Sequence, residues 1–114
     1  LNSPLLNQQS RTFALRLLLE QSLANRDPDD PLYVTAIVDR ATRLAFGRPP
    51  SVDEVELSRR FLEQQTELLQ EEAAGRETRF APSELPDGID AVFAEALTDY
   101  TLVMLNRDEF LFVD

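Results

Sequence analysis

Apolar residues recur along the chain at the three- and four-residue spacing of helices, in four segments separated by turn chemistry. Over residues 5–24, Leu6, Phe13 and Leu17 share one stripe, with Ala14 and Leu18 beside it. Leu15, Leu19 and Leu23 widen the apolar surface nearly all round, which predicts a helix covered on more than one side. Residues 25–31, rich in Asp, Asn and Pro, read as a turn. A second helix is expected to start with Asp30 as its N-cap and Pro31 in its first position. Val34, Ile37, Val38, Ala41, Leu44 and Ala45 form its stripe. Gly47 stands where a left-handed residue closes a helix, and Pro49-Pro50 prevent continuation.

The third segment opens on Ser51-Val52-Asp53-Glu54, the pattern of a capping box in which Ser51 and Glu54 each satisfy the other's backbone amide. Leu57, Phe61, Leu62, Leu68 and Leu69 are expected to face inward, and Glu63, Glu67, Glu71 and Glu72 make an acidic outer face that reads as solvated. Residues 75–88 hold Gly, Pro, Ser and charges and read as a long loop, which Phe80 and Leu85 can pin to the bundle. A fourth helix is expected over residues 89–105, with Ile89, Val92, Phe93, Ala96, Leu97, Tyr100, Val103 and Met104 on its stripe. Asp87 or Asp90 complements its positive end. The apolar run Phe110-Leu111-Phe112-Val113 is expected to lie extended, with Phe110 or Phe112 entering a groove near Leu15, Leu19 and Tyr100 between the first and fourth helices. The alternative is docking on a domain outside this sequence. The pattern as a whole predicts an all-α fold, a four-helix bundle-like domain with an extended C-terminal segment packed on it.

Composition narrows the chemistry. The 114 residues suit one domain with one core, and an apolar content of 43% is that of a globular chain. A net charge of −10 repels phosphate backbones and anionic lipid surfaces, so nucleic-acid binding is not expected, and no apolar run approaches the roughly 20 residues that span a bilayer, so membrane insertion is not expected either. Every basic residue is Arg, and the absence of Lys excludes Schiff-base and lysine general-base mechanisms. With neither Cys nor His, the chain has no disulfide, thiolate nucleophile, Ser-His-Asp triad or covalent haem attachment, and no zinc site with those ligands. No cofactor is expected in this chain.

The remaining carboxylates have structural readings. Asp27-Pro28-Asp29-Asp30 is the densest cluster. A calcium loop would want Gly and Glu where Leu32 and Val38 stand, and turn chemistry with an N-cap accounts for the cluster. Asp39 and Asp99 are candidate acid–base groups by position, expected to be exposed instead. Tyr33 and Tyr100 read as aromatics at the edge of the core. Asn106 is expected to cap the fourth helix in the left-handed conformation. Arg107, Asp108 and Glu109 are placed to form salt bridges, with the turn holding Arg48 as the expected neighbour.

Three stretches carry a resemblance: Leu1-Asn2-Ser3-Pro4, then Ala45-Phe46-Gly47-Arg48-Pro49-Pro50-Ser51 with Glu54, and finally Leu105-Asn106 with Glu109-Phe110-Leu111-Phe112-Val113-Asp114. Together they resemble the C-terminal half of a planctomycete-specific domain of unknown function, found in large proteins that also carry planctomycete cytochrome-c-like domains. The chain departs from that family's typical ending at Arg107, Asp108 and Phe112. The resemblance implies a fragment of a longer, exported or periplasmic multi-domain protein and supplies no catalytic residues. The candidate interaction or structural motif is accordingly Gly47, Arg48, Asn106, Glu109, Phe110 and Phe112. The expected role is a non-catalytic structural or protein-interaction module, its partners other domains of the parent protein or another protein. The alternative is a portion that completes the active site of a redox or carbohydrate-directed enzyme.

Overall fold

The computed structural model describes residues 3–72 and 78–107. Among them the chain forms four α-helices, α1 Pro4–Leu23, α2 Tyr33–Phe46, α3 Val52–Glu71 and α4 Ala91–Leu105, a single 3₁₀ turn at Pro82–Glu84, and no strand. The arrangement is an all-α bundle. Helices α1 and α2, α2 and α3, α3 and α4, and α4 and α1 are neighbours, and α4 also touches α2. No described helix is long and apolar enough to cross a membrane. The expected packing of Phe110 and Phe112, and the expected role of Glu109, fall on residues outside those described.

Local chemistry sets the helix ends. Ser3 caps α1 by accepting the Leu6 amide at 3.1 Å, with Pro4 in the first turn. The α3 capping box is complete: Glu54 N–H donates to Ser51 Oγ at 3.1 Å, and Ser51 N–H donates to Glu54 Oε1 at 2.8 Å. Asp90 caps α4 through the Val92 amide at 2.9 Å. Asp30, however, does not cap α2. Its carboxylate accepts the Leu32 amide at 2.8 Å and its carbonyl accepts the Tyr33 amide at 2.9 Å, while Asp27 accepts the Asp29 amide at 2.9 Å. These turns compete with helix and delay its start to Tyr33, leaving Pro31 outside it. Asn106 also departs from expectation. Its φ of −94° is right-handed, and its side chain donates to the Leu102 carbonyl at 2.9 Å on its own helix.

The core is organised around α4. Residues 94–98 are buried without interruption, and Tyr100, Thr101 and Met104 extend that burial. Small side chains allow the close approach to α1: Ser10 and Ala14 on one helix, Ala94, Thr98 and Thr101 on the other, all fully buried. Thr101 Oγ1 donates in this interface, with Ser10 O at 2.8 Å and Thr98 O at 2.9 Å as its acceptors. Val103, expected on the inward stripe, is half exposed between buried Thr101 and Met104 and so lies off the buried face.

Helix α1 packs against both α2 and α4 and buries Phe13, Ala14, Leu17 and Leu18, so it is covered on more than one side as the sequence predicts, although Leu19 and Leu23 remain exposed. Among the described helices α2 and α4 make its extensive contacts, and neither covers Leu19 or Leu23. On α3 the inward face is Ser58, Phe61, Leu62, Gln65 and Leu69. Leu57 and Leu68, expected inside, are 64% and 46% exposed. Each lies one residue, about 100° of rotation, from that face, and polar Ser58 and Gln65 occupy the places the apolar pattern left for them.

Gly47 has φ of +70° and closes α2 as the sequence predicts, its amide donating to Arg43 O at 3.0 Å. A Cβ in that conformation is strained, so Gly47→Ala is expected to lower stability by about 1 kcal/mol. Chemical denaturation of the two proteins checks this, and an unchanged midpoint contradicts it.

Candidate functional site

Three arrangements concentrate polar or apolar side chains where chemistry or binding is possible. The first contains the motif residues around Gly47. The turn it makes brings the Arg48 guanidinium onto Glu54 as a two-pronged pair, Nη1 to Oε1 at 2.7 Å and Nη2 to Oε2 at 2.8 Å. Arg107, at the end of α4, reaches the same carboxylate at 3.7 Å. The guanidinium carbons of Arg48 and Arg107 lie 5.7 and 4.7 Å from the Phe46 ring centroid, within cation–π range. Arg107 therefore does approach the Arg48 turn, with Glu54 as the shared partner. The hydrogen bonds from Arg48, with that from the Ser51 amide, pull the Glu54 carboxyl down to about 2. Asn106 lies beside this node without joining it, and Glu109, Phe110 and Phe112 lie outside the described residues.

The second arrangement is the strap preceding α4. Phe80 is 1% exposed and is the largest of the fully buried side chains, although it comes from a loop. Arg79 spans Glu95 and Asp99 on α4, its Nη2 donating to Asp99 Oδ1 at 2.8 Å and to Glu95 O at 3.0 Å. Glu95 also accepts the Arg79 amide and, at 3.0 Å, the Thr78 hydroxyl. Gln65 on α3 donates to Asp99 at 2.9 Å. From α1, Arg11 donates to the Arg79 carbonyl at 3.0 Å, pairs with Glu84, and stands over the Phe80 ring. Burial pushes the Glu95 carboxyl up, but the Arg79 amide and guanidinium and the Thr78 hydroxyl outweigh it and hold the group below its ordinary value. Asp99, expected to be exposed, is thus half-buried in a network, whereas Asp39 forms an exposed pair with Arg43 at 2.9 Å.

Sequence reading foresaw neither Arg79 nor Glu95. The available signal was an acidic residue next to Ala94 and Ala96, small residues that mark a closely packed surface. The arginine that neutralises it comes from a different element. Carboxylates and an arginine converge here, but on one another, and none of Arg79, Glu95 and Asp99 lines either hollow described next.

The third arrangement is a trough where α2, α3 and α4 meet. One hollow of about 290 Å³ is lined by Val34, Leu62, Thr66 and Phe93, with Arg59, Glu63 and Glu67 at its margin. A second of about 200 Å³ shares Val34 and Phe93 and continues to Tyr33, Ile89, Asp29 and Asp90. Thr66 turns its hydroxyl to the Leu62 carbonyl at 2.6 Å, so the groove keeps the apolar part of that side chain. Tyr33 packs its ring 6.2 Å from that of Phe93. Its buried hydroxyl has no hydrogen-bond partner among the described residues, and burial pushes it up to about 12. Tyr100, buried against Phe61, instead donates to Ser58 at 2.9 Å.

No protein-family model, curated protein or solved structure matches the chain.

Two measurements probe the polar nodes. Arg79→Ala leaves the buried Glu95 carboxylate without its cation and is expected to cost about 3 kcal/mol. Arg43→Ala, which breaks an exposed pair, is expected to cost less than about 1 kcal/mol. Equal midpoints for these two variants would contradict the assignment of the strap as a buried ionic latch.

Glu54 generates a pH dependence. Its folded value of about 2 lies below its ordinary 4.5, so its contribution to stability is fully present above the ordinary value and is lost as pH falls through the folded one. Denaturation of the wild type and Glu54→Gln between pH about 6 and pH about 2 is expected to show a stability difference that narrows on acidification. A difference independent of pH contradicts it.

Proposed function

We propose that this chain is a non-catalytic protein-interaction module within the larger exported polypeptide that its sequence resemblance implies. The observation that supports the reading is the trough formed by Val34, Leu62 and Phe93, an apolar surface built on three helices and open at the side of the bundle. Its two hollows, about 290 and 200 Å³, adjoin along Val34 and Phe93 as a shallow groove and bring no converging carboxylates and arginine into one deep pocket. Hollows of that size suit the individual side chains of a protein partner. The charged clusters nearby serve the fold: Glu95 and Asp99 hold the strap, and Glu54 holds the turn and the end of α4.

Cross-linking mass spectrometry of the parent protein in its native cells tests this. Cross-links from residues of this chain to one recurrent protein or domain are expected. Replacing residues 1–114 by a flexible linker is expected to release that partner. Retention of every partner after the replacement overturns the proposal.

A further inference from the structure

We infer that the trough takes a basic amphipathic helix from a partner protein, an inference that rests on the module reading and specifies its ligand. The argument begins with charge. Every described arginine already lies within 4.0 Å of a carboxylate, so the cations of the chain are committed to its own anions. The carboxylates around the trough are not. Glu63 and Glu67 on α3, at the margin of the larger hollow, form no ion pair among the described residues, and neither does Asp29 beside the smaller one. Asp90 adds a further negative charge there while capping α4. Arg59, the cation at the rim, lies 3.6 Å from Glu56. An apolar floor whose carboxylates on both margins form no ion pair among the described residues is complementary to an apolar stripe flanked by Arg or Lys.

Shape points to a helix as the carrier. The two hollows adjoin along Val34 and Phe93, so an occupant has to place at least two apolar anchors on one side of itself. A helix does this with residues at i, i+3 or i+4, and i+7. Charge disfavours two other occupants. A second copy of this chain would bring a net charge of −10 against the same carboxylates. The segment 108–114 carries Asp108, Glu109 and Asp114 and would meet like charge as well.

The test uses the intact chain and three synthetic helical peptides. One has Leu at i, i+3, i+4 and i+7 flanked by Arg, one has Glu in place of each Arg, and one is a scramble of the first. Amide chemical-shift titration is expected to show the basic peptide binding with shifts centred on Val34, Leu62 and Phe93. Rim charges set encounter and salt dependence, so the double variant Glu63→Arg/Glu67→Arg is expected to bind it about tenfold more weakly, with its helical circular dichroism unchanged. The expected binding also weakens as salt is raised. Failure of the basic peptide to bind, equal binding of the inverted or scrambled peptide, or dimerisation of the chain through the trough overturns the inference. The two proposals fail separately. If cross-links in cells identify a partner that contacts another face and is held equally by the double variant, the trough assignment falls while the module reading stands.

Discussion

The Glu95 carboxylate belongs to a run of α4 that is buried from Ala94 to Thr98. A charge in that position is strongly destabilising unless it is paired and hydrogen-bonded. That constraint determines how the chain returns from α3 to α4. The connecting strap has to bring a cation and backbone donors to Glu95, and it does so with Arg79, its amide and Thr78. Once Arg79 is placed, the next residue, Phe80, enters the core, and Arg11 can reach the Arg79 carbonyl and Glu84 from α1. The strap thus ties the first helix to the last, and α4 can be enclosed by the bundle without an uncompensated charge inside it.

The same logic explains which parts of the fold were legible in the sequence. Ser51 and Glu54 are three residues apart, and Gly47 acts through its own backbone, so their effects are written locally. The alternation of apolar positions likewise places Ile37, Val38, Ala41 and Ala45 inside, because a helix repeats its own face. Asp30 shows where local reading goes wrong. Cap and turn both use an acidic oxygen and a nearby amide, and only the competition between them decides that the helix starts at Tyr33. Arg79 with Glu95, Gln65 with Asp99 and Arg11 with Glu84 are separated by 16, 34 and 73 positions. Nothing in the spacing of one element names its partner in another. Leu57 and Leu68 were misplaced for the related reason that polar Ser58 and Gln65 face inward to meet Tyr100 and Asp99.

The candidate motif around Gly47 was legible as a place but not as a circuit. Sequence reading placed the Arg107 segment near the Arg48 turn but gave Glu54 only its role in the capping box. The fold joins them on one carboxylate beside Phe46, so the α2–α3 turn and the end of α4 are held by the same side chain. Such a node ties Arg107, just after α4, to the turn between α2 and α3. It also concentrates arginine at that end of the bundle, where Glu54 is already occupied.

Charge is therefore distributed unevenly, and the imbalance has a structural origin. Positive side chains are fewer than negative ones, 11 against 21, and the fold places the cations where folding needs them: over Glu95, in the Arg48 turn, and between α1 and α2, where Arg40 binds Glu20 at 2.8 Å. What is left over is acidic, and it includes Glu63 and Glu67 on the outer side of α3. A solvated acidic face is the ordinary result of such an excess. Here that face borders the half-buried Val34 and Phe93, where α2 and α4 make only a slight contact and the bundle stays open. The arginines consumed in closing the strap and the turn are thus unavailable to screen the trough. A field that folding leaves uncancelled coincides with the apolar surface that packing leaves uncovered, and a partner able to satisfy both gains more from the pair than from either alone.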